Sequence, residues 1–124
     1  AYGALGKHSE QRDHLEKAVD ALRRYYGPDH PELAKAEVSL GNAYGALGKF
    51  PEQVVHLERA IHALQRHYGP GHPEVAEAEM SLGNAYGALG KHSEQRDHLE
   101  KAVDALRRYY GPDHPELAKA EVSL

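Results

Sequence analysis

The segment that decides the fold spans residues 31–48 and reads PELAKAEVSLGNAYGALG. Its apolar and small residues recur every three or four positions, which is the spacing of one face of an α-helix. These residues are Leu33, Ala36, Leu40, Gly41, Tyr44 and Leu47. Pro31 suits the first turn of a helix, where its missing N–H has no partner to lose, and Gly48 is typical of the position after a helix. The pattern predicts a helix over about 31–47, called helix A.

A second segment has the same helical spacing and predicts helix B over about 9–26. Its apolar positions are Leu15, Ala18, Val19, Leu22 and Tyr26. Arg23 and Arg24 lie at its carboxyl end, where the helix dipole favours cations, and Gly27-Pro28 ends it. In the middle copy of this segment, Pro51 and Glu52 mark the first turn. Connections of roughly three to four residues predict antiparallel neighbouring helices.

The two segments belong to a repeat with a period of 42 residues. Residues 1–40 recur without change at 85–124, and residues 43–84 match residues 1–42 at 29 of 42 positions. A fixed period of this length is typical of stacked units, each of which buries its apolar face against a neighbour. We therefore predict one array over 1–124, with units at about 1–42, 43–84 and 85–124. Recent duplication, homogenisation and deliberate construction would each explain the identical copies.

Two glycines interrupt helix A, at Gly41 and Gly45. Each costs about 1 kcal/mol relative to alanine within a helix, so a packing reason is expected. We predict that Gly41, together with the small Ala18 of helix B, allows two helix backbones to approach closely at the A–B contact. Simple tolerance of glycine is the alternative.

Composition argues against several classes of protein. Lys and Arg total 15 against 19 Asp and Glu, which gives a net charge of -4. Nucleic-acid-binding proteins usually carry an excess of basic residues, which this chain does not have. Cysteine is absent, which removes disulfides and thiolate metal sites. No apolar run is long enough to span a membrane, and residues 1–7 lack the plan of a signal peptide. These features lead us to expect a soluble, cytoplasmic protein.

The ten histidines do not predict a metal site. His14, His56 and His98 occupy equivalent places in successive units, and stacked helices lie about 8–10 Å apart, whereas one ion needs ligands at about 2 Å. His30, His72 and His114 fall in turns, where packing or capping is the simpler role. Charged residues such as Glu52 and Glu58, beside His56, are interpreted as a solvated helix face. We predict no cofactor, no metal and no enzymatic activity.

The run Leu40-Gly41-Asn42-Ala43-Tyr44, followed by Gly48-Lys49-Phe50 and by Leu57 and Ala60-Ile61, resembles the tetratricopeptide repeat signature. The linker over 68–74 and the period resemble the 42-residue form of kinesin light chains and of some sensor arrays in nucleotide-binding immune-type receptors. The resemblance implies an all-α, right-handed superhelical solenoid of antiparallel helix pairs, with helix A on the concave side. Two positions depart from the signature. Gln11, Gln53 and Gln95 replace a small alanine, and Glu37, Glu79 and Glu121 replace a large aromatic residue.

The same resemblance implies a protein-interaction scaffold that binds a peptide or protein partner in its concave groove. The implied groove residues are Lys35, Val38, Asn42, Gly45, Ala46, Glu77, Met80, Asn84, Gly87 and Ala88. Asn42 and Asn84 match a position whose amide can both donate to and accept from a peptide backbone. The groove changes along its length because Lys35 is replaced by Glu77 in the next unit, and such variation can encode specificity.

A second interpretation is a structural or engineered module that stacks head to tail without a specific ligand. The chain begins and ends within helix A of the repeat, so each end is expected to show an incomplete apolar face. Association of such ends is heterologous and would extend as a filament unless the rotation closed it.

Overall fold

The computed structural model describes residues 4–111 and 113–123, and within these ranges all regular structure is helical, with no strand. The helices are α1 (Ala4–Tyr26), α2 (Pro31–Ala46), α3 (Phe50–Tyr68), α4 (Pro73–Ala88), α5 (His92–Tyr110) and α6 (Pro115–Ser123). Three- and four-residue connections alternate between them. The predicted all-α architecture is confirmed, and α2 ends within one residue of the predicted helix A.

Proline and histidine together start the A-type helices. Pro31 opens α2, and the preceding His30 is its N-cap residue. The imidazole Nδ1 of His30 accepts a hydrogen bond from the backbone N–H of Glu32 at 3.1 Å, and His72 does the same for α4. At the other end, Gly48 adopts a φ of +76°, a conformation that side chains disfavour. The sequence therefore defines both ends of these helices locally.

The helices α2, α3, α4 and α5 each pack against the helix before and the helix after them, so the core extends along the array instead of forming one centre. One cluster joins α1 to α2, a second joins α2, α3 and α4, and a third joins α4, α5 and α6. Leu57 and Leu64 of α3 are 0% and 1% exposed because they lie between α2 and α4. This arrangement is a solenoid of helical pairs, as the 42-residue period predicted.

The predicted role of Gly41 is confirmed by its surroundings. A Cβ at this position would lie 3.1 Å from Cγ of Leu57 and 3.3 Å from the backbone oxygen of Gln53, so only glycine fits without a shift. At Gly45 a Cβ would lie 2.6 Å from Nε2 of Gln53. The glutamine side chain therefore occupies the space that Gly45 leaves, which explains why a large residue replaces the small alanine of the family pattern here.

The first unit differs from the other two. Helix B was predicted to start near residue 9, but α1 begins at Ala4 and passes through Gly6, which corresponds to Gly48. Ala18 is exposed, whereas its equivalents Ala60 and Ala102 are buried. The physical reason is a missing neighbour, because no A-type helix of the described residues packs on α1 from the side that precedes it. The predictions for Ala18 and for the start of helix B are therefore wrong in this copy.

Candidate functional site

The surface formed by α2 and α4 contains a concavity of about 250 Å³. It brings together four of the residues predicted for the groove, namely Lys35, Val38, Asn42 and Glu77. Lys35, Asn42 and Glu77 are exposed and Val38 is half-buried, so charged and amide groups surround an apolar side chain. A concavity of this composition suits one or two side chains of a bound peptide more than a small-molecule ligand, which usually needs about 300 Å³ or more.

The remaining lining of the concavity was not predicted from the sequence. It consists of Leu64, Glu74, Ala78 and Ser81. Leu64 belongs to α3, and its presence depends on how deeply that helix sits between α2 and α4. Ser81 follows Glu77 by four residues, so helical periodicity alone could have identified it.

The other six predicted residues have different placements. Asn84, Ala46 and Ala88 are exposed, whereas Met80 is half-buried and packs against the cluster that joins α4, α5 and α6. Gly45 and Gly87 direct their Cβ positions toward Gln53 and Gln95 of the following helix. Side chains at these two glycine positions would therefore face a helix contact, and the glycines offer the surface only backbone.

The charge of Lys35 on this surface is held by a weak interaction. Nζ of Lys35 lies 3.8 Å from Oε1 of Glu32, and both side chains are about half exposed. Exposed pairs of this kind contribute roughly 0–1 kcal/mol, so a ligand can compete for Lys35 at little cost. At the equivalent positions of neighbouring units, Lys35 is a cation and Glu77 is an anion.

A buried carboxylate connects three helices outside the concavity at α2 and α4. Glu37 of α2 is 2% exposed. Nη2 of Arg23 from α1 donates to its Oε1 at 2.7 Å, and Nδ1 of His56 from α3 lies 2.6 Å from its Oε2. Both oxygens therefore have partners, as a buried charge requires. The prediction that His56 lies on a solvated face is wrong, because Glu37 binds it and its side chain is 18% exposed.

The same network recurs with one change in the next unit. Glu79 of α4 is buried and bonded to His98 of α5. The position equivalent to Arg23 is Gln65, so this carboxylate lacks the guanidinium that Glu37 has. In the third unit Nη2 of Arg107 lies 3.2 Å from Oε1 of Glu121. The three glutamates that replace a large aromatic residue of the repeat signature therefore each make a polar contact with another helix. They are Glu37, Glu79 and Glu121.

Two tyrosine–glutamate pairs lie beside these networks. Tyr44 donates to Glu16, and Tyr86 donates to Glu58 at 2.6 Å. Bonding to the carboxylate raises the pKa of Tyr44 and of Tyr86 to about 12, with desolvation as a smaller cause. The rings stack on His56 and His98 at 5.2 and 5.4 Å between centroids. Each pair therefore joins an A-type helix to the B-type helices on both sides.

The turn histidines pack and cap, as predicted. His30 stacks on Tyr26 with ring centroids 3.8 Å apart, and His114 stacks on Tyr110 at 3.9 Å. Over residues 4–111 and 113–123, no three His, Asp or Glu side chains converge in a way that could hold a metal ion. In the same part of the chain, no helix has the length and apolar character needed to cross a membrane.

Comparisons with known proteins agree with this geometry. Two tetratricopeptide repeat models match residues 1–61 and 75–116. A crystal structure from Podosopora anserina, described as a candidate kinesin light chain with nearly identical TPR-like repeats, has a TM-score of 0.82 and 26% identity over 98% of this chain. The crystal structure of a point variant of that protein gives the same values.

A more distant structure, BtubC (BKLC) from P. vanneervenii, has a TM-score of 0.68 and 14% identity over 94% of this chain, and supports the fold alone. The chain spans 61% of the length of each of these structures. No curated protein sequence matches it.

Proposed function

This chain belongs to the tetratricopeptide repeat family, and from this premise we propose that it binds a peptide or protein segment on the surface formed by α2 and α4. Repeats of this family are generally protein-interaction scaffolds and are typically not enzymes. We propose further that this surface is the concave side of the array and that Asn42 and Asn84 hydrogen-bond the backbone of the bound peptide. We also propose that the protein is located in the cytoplasm.

The observation that carries the proposal is the concavity at Lys35, Val38, Asn42 and Glu77. The half-buried Val38 offers apolar contact, and the exposed amide of Asn42 can donate to a backbone carbonyl and accept from a backbone N–H. An extended peptide presents both groups at every residue. Lys35 and Glu77 would then favour a ligand that carries one acidic and one basic side chain.

The surface predicts moderate affinity. Small residues such as Ala46 and Ala88 give little contact area, and the concavity of about 250 Å³ has room for only one or two side chains. Tight protein interfaces usually depend on a few large, well-packed side chains. We therefore expect affinity to rise when several units bind one ligand together.

The test is a selection of peptides from a random display library against this chain, followed by binding measurements on variants. Asn42→Ala combined with Asn84→Ala should weaken the selected peptides about tenfold or more, because two amide contacts are lost. Arg59→Ala, at an exposed position of α3, is the control and should leave binding unchanged. Circular dichroism should show the same helical signal for all variants. Equal binding by the asparagine variant would refute the concave site.

A second candidate function is head-to-tail association of this chain. The exposure of Ala18, whose equivalents Ala60 and Ala102 are buried, supports it because α1 presents an apolar face to solvent. Sedimentation velocity over a wide range of concentrations tests it. Association should increase with concentration and be abolished by Ala18→Glu. A monomer at the highest concentration would exclude this candidate.

A further inference from the structure

The carboxyl ends of α1, α3 and α5 carry aromatic residues that the proposed concave site does not use. Together with the histidines of the following linkers they form a row along one edge of the array, which we call the aromatic edge. It consists of Tyr25, Tyr26, His30, His67, Tyr68, His72, Tyr109, Tyr110 and His114. The row follows from the repeat, because each unit contributes an aromatic pair and one histidine.

Four rings of the aromatic edge form two stacked pairs at the first and second linkers. Tyr26 stacks on His30 at 3.8 Å, and Tyr68 stacks on His72 at 4.3 Å. The two histidines also accept backbone hydrogen bonds at the first turns of α2 and α4, which fixes their rings. A preformed aromatic surface loses little conformational entropy when a ligand binds.

The aromatic edge is also open to solvent. Tyr25 is 81% exposed and Tyr109 is 59% exposed, while Tyr26 and Tyr110 are 43% and 38% exposed. Clustered exposed aromatic residues are typical of interaction surfaces, and tyrosine is enriched there because an apolar ring and a polar hydroxyl serve together. These four side chains are more than half of the large apolar residues that the described part of the chain exposes.

A groove of about 610 Å³ crosses the edge between the first and second units. The Tyr26–His30 stack of the first unit lines it together with His67 and Tyr68 of the second unit. Pro28 and Pro31 also belong to its lining. Asp29 and Glu32 complete the lining, so the groove walls hold two carboxylates and neither lysine nor arginine. The groove is therefore lined by aromatic rings, prolines and two carboxylates.

The two carboxylates remain available to a ligand. Oδ2 of Asp29 lies 3.1 Å from Nη1 of Arg66, but the two side chains are 51% and 63% exposed. Glu32 lies 3.8 Å from Lys35 in a similarly exposed pair. Since such pairs contribute little, a cationic ligand group can replace either partner.

We propose that this groove binds a proline-rich segment in the polyproline II conformation that carries one lysine or arginine. Proline rings pack well between aromatic side chains, and the preformed polyproline II helix limits the entropy lost on binding. The basic residue complements Asp29 and Glu32. A single-stranded nucleic acid would also stack on aromatic rings, but its phosphates would meet these carboxylates.

The equivalent groove between the second and third units is partly closed. There the ring of Tyr109 lies 5.7 Å from His72, in a tilted contact. The corresponding residue between the first and second units is the smaller His67. The site is therefore assigned to the first junction, around Tyr26 and Tyr68.

The experiment is fluorescence anisotropy with a labelled nine-residue peptide made of prolines and leucines with one arginine. Saturable binding by the 124-residue chain is expected, and Tyr26→Ala should weaken it about tenfold. Tyr110→Ala is a matched control, because Tyr110 makes the same stack with His114 in an identical sequence context. It differs in one respect, since no later B-type helix in the described part of the chain supplies a second wall. It should leave the affinity unchanged.

Charge and conformation of the ligand are tested separately. Asp29→Lys should weaken binding of the arginine peptide more than fivefold and leave a peptide with glutamine in place of arginine unaffected. Replacing alternate prolines by D-proline should abolish binding. The Asn42→Ala and Asn84→Ala variant should bind this peptide normally, which separates this site from the concave one.

Three results would overturn the proposal. They are the absence of saturable binding at millimolar peptide, equal loss of affinity in Tyr26→Ala and Tyr110→Ala, and preferential binding of a twelve-nucleotide oligouridine over the peptide.

Discussion

Replacing Gln65 by arginine is expected to stabilise the array by completing the network around Glu79. In the first unit, Arg23 and His56 both contact the buried Glu37. In the second unit the repeat places Gln65 where the first has Arg23. Gln65 borders the same pockets as Glu79, so an arginine there would lie close to this carboxylate.

The magnitude follows from the geometry of the first unit. A hydrogen bond to a charged group contributes about 1.5–3 kcal/mol. The Arg23 side chain is 42% exposed, although the Glu37 side chain is only 3% exposed, so solvent screens part of this energy. We therefore expect Gln65→Arg to add about 1 kcal/mol to the free energy of unfolding. For a chain of this size that corresponds to a rise in Tm of about 4 °C.

Urea and thermal unfolding, followed by circular dichroism, measure this change. The decisive comparison is a double-mutant cycle in which Gln65→Arg is also made in the Glu79→Gln background, where the gain should disappear. The reverse substitution Arg23→Gln should cost about 1–2 kcal/mol, because Glu37 is left with His56 alone. An equal gain with and without the Glu79 carboxylate would show that the guanidinium acts elsewhere and would refute the reasoning.

Two further predictions concern packing and alkaline pH. Gly83→Val should lower the free energy of unfolding by about 1–3 kcal/mol, because a Cβ there lies 3.1 Å from Cγ of Leu99. Gly71→Ala, where the added Cβ meets open space, should be neutral or slightly stabilising. Equal losses for the two variants in denaturant unfolding would contradict this. The pKa of Tyr86 is raised from 10.0 to about 12, so the stability from its bond to Glu58 is present below pH 10 and is lost as pH rises toward 12. Tyr86→Phe should reduce this loss of stability at alkaline pH. An unchanged midpoint of alkaline unfolding would argue against the bond.

Local sequence was sufficient to predict the helices and their repeat. Pro31, Gly48 and the apolar spacing between them define α2 within one residue, because start and stop signals act over a few positions. The role of Gly41 was also predictable, since a costly residue within a helix suggests a close contact. The failure at α1 arose because a helix start also depends on a neighbour, which the first copy lacks within the described residues.

The residues of the proposed binding surface were only partly predictable. The resemblance to the tetratricopeptide repeat implied one surface for Lys35, Asn42 and Glu77, but Leu64 joined them only through the packing of α3. Likewise, nothing in the sequence paired Glu37 with His56, because they belong to two separate helices. Their 2.6 Å contact exists because the stacking of the helices brings positions 19 residues apart together.

The sequence by itself determined that this chain is a row of 42-residue helical pairs, because helix signals and apolar periodicity are local and the repeat copies them. Only the tertiary structure decided which polar groups became buried partners, that the side chain of Gln53 fills the space beside Gly45, and where the grooves opened. Those properties depend on distances between helices, and small differences between equivalent residues, such as His67 and Tyr109, change them.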